Sequence, residues 1–206
     1  ALMPMDRMST VKQLFTSFAN RSMAYDLPHT IGLTTFGADV QRVRELTEAF
    51  ESFKRAIDGT EADGCTRLFD ALNMARDELH SFTTNLTMAP PEGVVKRILV
   101  LTDGADTASR TEARDVCAAL QREGVVVDSV VIGSEIEKHT LRAISVATGG
   151  CAFHPKSIDE ALRLFETETI LSLRLRAPTD SHRPRAPIAS DIDLMGLAGG
   201  RLGAHE

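Results

Sequence analysis

Hydrophobic positions along the chain follow two different periodicities. From about residue 6, apolar side chains recur every three or four residues, which predicts an amphipathic helix; they are Met8, Val11, Leu14, Phe15 and Phe18. Residues 30–36 then form a β-branched and apolar run that Gly37 ends, which predicts a strand. A shorter stretch at residues 41–44 could add another strand.

The middle of the chain returns to helical spacing and then to a strand. Residues 45–57 and 66–82 each place apolar side chains on one face, so we expect two helices. A loop with two adjacent prolines follows them. Residues 96–102 are then almost continuously apolar, which predicts a buried strand.

The second half of the chain repeats this alternation. Ser109 and Glu112 have the spacing of a capping box, which predicts a helix from there to Gly124. The nearly unbroken apolar run 125–133 is typical of a parallel strand that is buried on both faces. A helix is expected within 136–150 and a short strand at 151–154. A second capping box, Ser157 with Glu160, predicts a last helix to about Leu173.

Strands that alternate with helices of this length require crossover connections, which join parallel strands. The predicted fold class is therefore α/β, a doubly wound and mostly parallel sheet with helices on both faces. The periodic part of the chain predicts one domain over residues 1–176.

Residues 177–206 differ in composition from the rest of the chain. They are rich in Pro, Ala and Gly and show no periodicity, which is typical of a flexible tail. The alternative is a segment that lies on a partner surface through its short apolar stretch. The predicted anchors of such a partner-binding tail are Ile192, Leu194, Met195 and Leu197.

Composition narrows the possible functions. The 206 residues are 43% hydrophobic and 25% charged, with a formal net charge of −6, as in ordinary globular proteins. The basic residues are scattered, which argues against a nucleic-acid partner. No apolar run is long enough to span a membrane. Three widely spaced cysteines and six ungrouped histidines predict no zinc site and indicate an intracellular, cytoplasmic protein.

The sequence RILVLTDGADT, residues 97–107, ends a predicted buried strand on a carboxylate, Asp103. Ligands of open parallel sheets bind beyond the carboxyl ends of the strands. The stretches TTFGAD and DGCTRLFDAL could converge on the same rim. An aspartate and hydroxyls without histidine or thiolate suit a hard cation such as Mg²⁺ or Mn²⁺.

Three ordered motifs, IGLTTFG, GCTRLFDAL and LTDG, resemble those of the von Willebrand factor type A (vWA, or integrin I-like) domain. The resemblance covers about residues 3–175, and it is nearest to intracellular eukaryotic vWA domains beside U-box or RING ubiquitin-ligase modules. It implies a Rossmann-like sheet and a metal-ion-dependent adhesion site (MIDAS). By position in these motifs, Thr66 and Asp103 would be metal ligands, and Asp70 would support them as a structural or second-shell group.

The resemblance fails at the family's first metal-binding loop, Asp-x-Ser-x-Ser. Met3 aligns with the methionine that usually follows this loop, so Leu2 stands where the second serine is expected. The aspartate, the first serine and the central first strand would precede residue 1. Either the sequence is part of a longer protein, or the protein begins here and the strand is missing or is donated by another chain. Without those ligands we expect no bound metal, whereas an upstream loop would make Mg²⁺ possible. Thr66 and Asp103 would otherwise be turn and capping residues.

These observations favour a non-enzymatic protein–protein interaction module in a multi-subunit assembly, with a degenerate MIDAS. The alternative is a Mg²⁺-dependent adhesion or substrate-receptor domain, linked to a ubiquitin ligase or an AAA+ machine. A third possibility, catalysis, has little support because the sequence lacks nucleotide-binding glycine loops and a hydrolase nucleophile elbow. Cys65 is a conceivable nucleophile, but we expect it to be a small buried filler in the place of a family glycine.

Overall fold

The computed structural model describes residues 7–24, 29–61, 64–85, 94–103, 105–131, 139–155 and 157–167. Within these ranges the chain forms six helices and five strands. In chain order they are α1 (Arg7–Ala24), β1 (Ile31–Phe36), β2 (Val40–Thr47), α2 (Phe50–Asp58), α3 (Leu68–Thr84), β3 (Lys96–Thr102), α4 (Ala113–Arg122), β4 (Val125–Val131), α5 (His139–Ala147), β5 (Ala152–Phe153) and α6 (Ile158–Thr167). The mixed α/β class expected from the sequence is confirmed.

The described strands form two sheets. β3, β4 and β5 are parallel neighbours in that order, with Lys96 opposite Val125 and Thr102 opposite Val131. β1 and β2 form an antiparallel hairpin. Helices α4 and α5 connect the parallel strands, as the doubly wound prediction requires.

The hairpin is longer than the sequence predicts, and it displaces the start of the next helix. We expected a strand at 41–44 and a helix from residue 45, but β2 continues to Thr47 and α2 begins at Phe50. The ladder shifts register near Leu33, and Glu78 of α3 accepts a hydrogen bond from Leu46 N at 2.8 Å. Burial raises the pKa of the Glu78 carboxyl, and the hydrogen bond from Leu46 N opposes this rise. A side chain of α3 therefore accepts a hydrogen bond from backbone in β2 that the hydrophobic spacing alone assigned to α2.

Apolar side chains of β3 alternate between the two faces of the sheet, as strand geometry requires. Ile98 and Val100 belong to the main core, which includes Leu68 and Leu72 of α3 and the buried faces of α4 and α5. Leu99 and Leu101 instead pack with α1 and α6. Helices α1 and α3 therefore lie on opposite faces of the molecule.

The ends of the predicted elements agree with the structure to different degrees. Ser157 Oγ accepts a hydrogen bond from Glu160 N at 3.1 Å, which confirms the cap of α6. The capping-box prediction for α4 is wrong: the helix begins at Ala113 after Glu112, whose side chain makes no capping hydrogen bond. The predicted extension of α6 to Leu173 and the tail anchors Ile192 to Leu197 lie outside the described residues. Among the described helices, none is long and apolar enough to cross a membrane.

Candidate functional site

Three segments meet at the rim where β1 and β3 end. The turn after β1 approaches the segment before α3, because Cys65 Sγ lies 3.7 Å from Gly37 O. The loop after β3 reaches the same segment, because Thr66 N donates to Thr107 Oγ1 at 2.9 Å and Thr107 N donates to Thr66 O at 2.8 Å. We call these segments together with the first turn of α3, residues 37–39, 64–70, 103 and 105–111, the rim.

The two predicted metal ligands both belong to the rim. Asp103 is exposed and directly follows Thr102, the buried last residue of β3. Thr66 is half-buried, and its carbonyl oxygen accepts hydrogen bonds from Thr107 N and from Ala108 N. The N-cap position of α3 is occupied by Arg67, the residue after Thr66.

Asp70 links the first turn of α3 to the loop after β3. Its Oδ1 accepts hydrogen bonds from Arg110 N at 3.1 Å and from Thr111 N at 2.9 Å, and its Oδ2 pairs with Arg67 at 2.8 Å. Burial by itself raises the pKa of this carboxyl. The hydrogen bonds from Thr111, Arg110 and Arg67 outweigh burial and lower the pKa from 3.8 to about 2. Asp70 therefore holds the loop after β3 against the first turn of α3.

Asp106 and Ser109 form a second link that the motif comparison does not identify. Asp106 Oδ1 accepts hydrogen bonds from Leu68 N at 2.8 Å and Phe69 N at 3.3 Å, and Ser109 Oγ also donates to it. Ser109 Oγ in turn accepts from Phe69 N and Asp70 N. Side chains of the loop after β3 therefore cap the N-terminus of α3, which has no capping side chain of its own. Ser109 caps α3 in this way and does not cap α4.

Arg67 is a third residue of the candidate site that the sequence analysis does not identify. Its guanidinium binds Asp70 and also lies 3.5 Å from Ala38 O and 3.8 Å from Asp39 Oδ1. It therefore connects the turn after β1 to α3 with a fixed positive charge. The three-residue spacing of Arg67 and Asp70 on a helix start, and of Asp106 and Ser109 in a turn, were the available signals.

The rim does not supply a complete cation site from the residues described. No group of three or more His, Cys, Asp or Glu side chains able to hold a metal occurs among them. Asp70 and Asp106 already accept several hydrogen bonds each. A hard divalent cation takes about six oxygen ligands. Thr66 and Asp103 alone do not meet that requirement.

Cys65 differs from its expected environment. We expected a buried filler, but the residue is exposed at the rim. Cys117 shows the contrasting case in α4, where it is fully buried and burial raises its pKa to about 11. A glycine position of the family motif therefore carries an accessible thiol.

The sequence pattern of the von Willebrand factor type A domain matches residues 3–167. The chain belongs to this family. It is 30% identical over 168 residues to a protein named "Probable bifunctional E2/E3 enzyme R795" from Acanthamoeba polyphaga mimivirus. That match covers 82% of this chain but only 13% of the viral protein.

Solved structures share the fold at lower sequence identity. Proximal thread matrix protein 1 from the mussel byssus superposes with a TM-score of 0.64 at 20% identity, over 81% of this chain and 42% of its own. The vWA domain of SpRpn10 gives a TM-score of 0.55 at 15% identity, over 82% of each chain. At these identities the similarity establishes the Rossmann-like vWA fold alone.

Proposed function

We propose that this vWA domain is a non-enzymatic protein–protein interaction module that binds its partner at the rim without a metal ion. The observation that carries the proposal is that two carboxylates at the rim are already engaged in contacts within the protein. Asp70 and Asp106 bind backbone N–H groups and Arg67, which are the protein's own positive charges and dipoles. Asp103 is exposed at the same rim, where a partner surface can reach its side chain.

The setting we propose is a larger intracellular assembly for ubiquitin conjugation or ligation. The support is the viral relative, which is named an E2/E3 enzyme and is far longer than the matched region. In such a polypeptide a vWA domain would recruit a client or a partner subunit while other domains carry out the chemistry. The partner tail proposed at residues 177–206 would add a second contact.

A non-enzymatic role fits the surroundings of the one accessible thiol at the rim. Cys65 Sγ lies against the carbonyl oxygen of Gly37, which cannot act as a general base. Charged groups at the rim are instead arranged as structural ion pairs, such as Arg67 with Asp70. This arrangement positions loops for docking.

Isothermal titration of Mg²⁺ and Mn²⁺ onto the chain tests the metal-independent mode. Asp103→Ala is the site variant. Glu51→Ala is the matched control, because Glu51 is exposed at the start of α2, at the opposite end of the hairpin. We expect the same weak heats from the wild type and both variants. Millimolar or tighter binding that only Asp103→Ala abolishes would overturn the proposal.

That opposite result would favour the second candidate function, a metal-dependent substrate receptor. The observation in its favour is that Thr66 and Asp103 lie on one rim, as the family motif requires. Recovery of bound partner proteins with each variant, with and without EDTA, distinguishes the two candidate functions. Under our proposal, Asp103→Arg reduces recovery of specific proteins, Glu51→Arg does not, and EDTA has no effect. Loss of the same proteins in EDTA would support the receptor.

A further inference from the structure

β2 is an edge strand whose middle is exposed. Among the described strands it pairs with β1 alone, and residues 41–45 are all exposed. The shift in register leaves Val43 without a residue opposite it in β1, and 39% of this side chain is exposed. The outer side of an edge strand carries N–H and C=O groups that another strand can bind. β2 can therefore accept a further segment of chain.

Two arginines flank Val43 in β2. Arg42 lies 3.4 Å from Glu78 of α3, and 42% of its side chain is exposed. Arg44 is exposed and forms no ion pair with a described residue. The exposed edge therefore reads basic, apolar, basic. Opposite charges directly across two strands stabilise pairing and like charges destabilise it, so a matching segment reads acidic, apolar, acidic.

A second copy of β2 does not have this pattern. Antiparallel pairing of two β2 strands centred on Val43 places the Arg42 of each copy opposite the Arg44 of the other, which brings like charges together. The register shift also disfavours a long regular ladder, as bulges at sheet edges commonly do. The edge therefore favours a short segment with complementary charge.

The C-terminal part of the chain contains such a segment. Residues 191–193, Asp-Ile-Asp, have the required order and belong to the apolar stretch that the sequence predicts to anchor a tail. In an antiparallel pair with Ile192 opposite Val43, each aspartate lies opposite an arginine, Asp191 opposite Arg44 and Asp193 opposite Arg42. The adjoining residues 189–190 and 194–195 are uncharged, so this register places no like charges opposite one another.

The direction and length of the chain also suit this pairing. β2 begins at the rim with Val40 and runs away from it. β5 is parallel to β3 and so ends on the side of the rim, and α6 leads back from there to Thr167. A segment that follows α6 therefore reaches the far end of β2 first and runs antiparallel to it. Residues 168–189 can extend over about 70 Å, whereas the described strands side by side span about 30 Å.

We propose that residues 189–195 form a short antiparallel strand on the outer edge of β2 of the same molecule, with Asp191 and Asp193 opposite Arg44 and Arg42. This inference does not depend on the proposed function. The added strand covers Val43 and closes this edge of the sheet. It also brings the end of the docked segment to the start of β2 at the rim, where a partner could contact it.

Hydrogen exchange of the whole 206-residue chain tests the proposal, with peptides covering 189–195 as the reporter. Arg44→Asp and Asp191→Arg each place like charges opposite one another. We expect each to speed exchange in the reporter peptides about fivefold relative to the wild type. Arg122→Asp is the matched control, because Arg122 is an exposed arginine of α4, and it should leave the reporter unchanged. Peptides covering 125–131 in β4 are the folding reference.

The double variant Arg44→Asp with Asp191→Arg exchanges the two charges and restores the pair. Its reporter peptides should return to within about twofold of wild-type exchange, which a general effect of either substitution would not produce. Three results would overturn the proposal: equal reporter exchange in the wild type and both single variants, no recovery in the double variant, or slow exchange that depends on protein concentration, which would assign the edge to the tail of a second copy.

Discussion

Two aspartate side chains in this domain make the same kinds of contact in different surroundings. Asp128, in the middle of β4, pairs with Arg97 of β3 and accepts a hydrogen bond from Cys151 N at 2.6 Å. Asp70, at the rim, pairs with Arg67 and accepts hydrogen bonds from Arg110 N and Thr111 N. Each therefore joins one guanidinium to backbone N–H groups of a separate segment. Asp128 is fully buried, whereas 12% of the Asp70 side chain is exposed.

The difference in burial decides what each pair does. Inside the sheet, loss of one partner leaves a charge that water cannot reach, so the Arg97–Asp128 pair constrains the fold itself. At the rim, water can replace part of each lost contact, so the Arg67–Asp70 pair sets loop positions at a smaller cost. Stability should therefore respond to changes in β4 more than to changes at the rim.

The largest effect is expected for Asp128→Ala. The substitution leaves Arg97, whose side chain is 12% exposed, without this carboxylate, and it leaves Cys151 N without its acceptor. We expect a loss of about 3–5 kcal/mol in the free energy of unfolding, measured by urea denaturation.

A double variant tests whether the lost stability comes from the unpaired charge or from the changed shape of the side chain. Asp128→Val combined with Arg97→Met replaces the ion pair with apolar side chains of similar length. We expect it to recover most of the lost stability, because removing both charges also removes their desolvation. If the single and double variants lose the same free energy of unfolding, the unpaired charge is not the cause of the larger effect expected in β4.

Asp106→Ala should have the next largest effect. α3 begins without a side-chain cap of its own, and Asp106 accepts the hydrogen bonds from Leu68 N and Phe69 N instead. Its loss should cost about 1–2 kcal/mol, the usual value of an N-cap, in the same denaturation measurement. Asp106→Asn keeps one carbonyl oxygen as acceptor and should lose about half as much. Equal losses would mean that charge, rather than acceptor geometry, matters here.

The sequence predicted the helices and buried strands well, because their apolar spacing is local and repeated. β4 is the clearest example, since its continuous apolar run follows directly from burial on both faces. The start of α2 was not predictable in this way. It depends on Glu78, 32 residues after Leu46, which satisfies the backbone of a longer β2.

The candidate site was predictable only in part, for a related reason. The strand end at Asp103 and the helix start near Thr66 follow from the motifs. The partners of Asp70 and Asp106 lie about 40 residues away in sequence, so no local pattern shows which N–H groups they accept. Ser109 illustrates the error that results, since its spacing to Glu112 predicts a capping box for α4 but its hydroxyl binds the start of α3.

The smallest effect, and the one that depends on pH, is expected for Asp70→Asn. The pKa of Asp70 is about 2 in the folded chain against an ordinary value of 3.8, so folding favours the ionised form. Its contribution is fully present above pH 3.8 and is lost as the pH falls towards 2. After allowance for screening by solvent at the rim, that contribution is about 1 kcal/mol. Urea denaturation between pH 5 and pH 2 should show the wild type more stable than Asp70→Asn at pH 5 and nearly equal to it at pH 2. A constant difference across this range would mean that the neutral carboxyl holds the loop as well as the carboxylate does, and that the rim pair differs from the interior pair in more than burial.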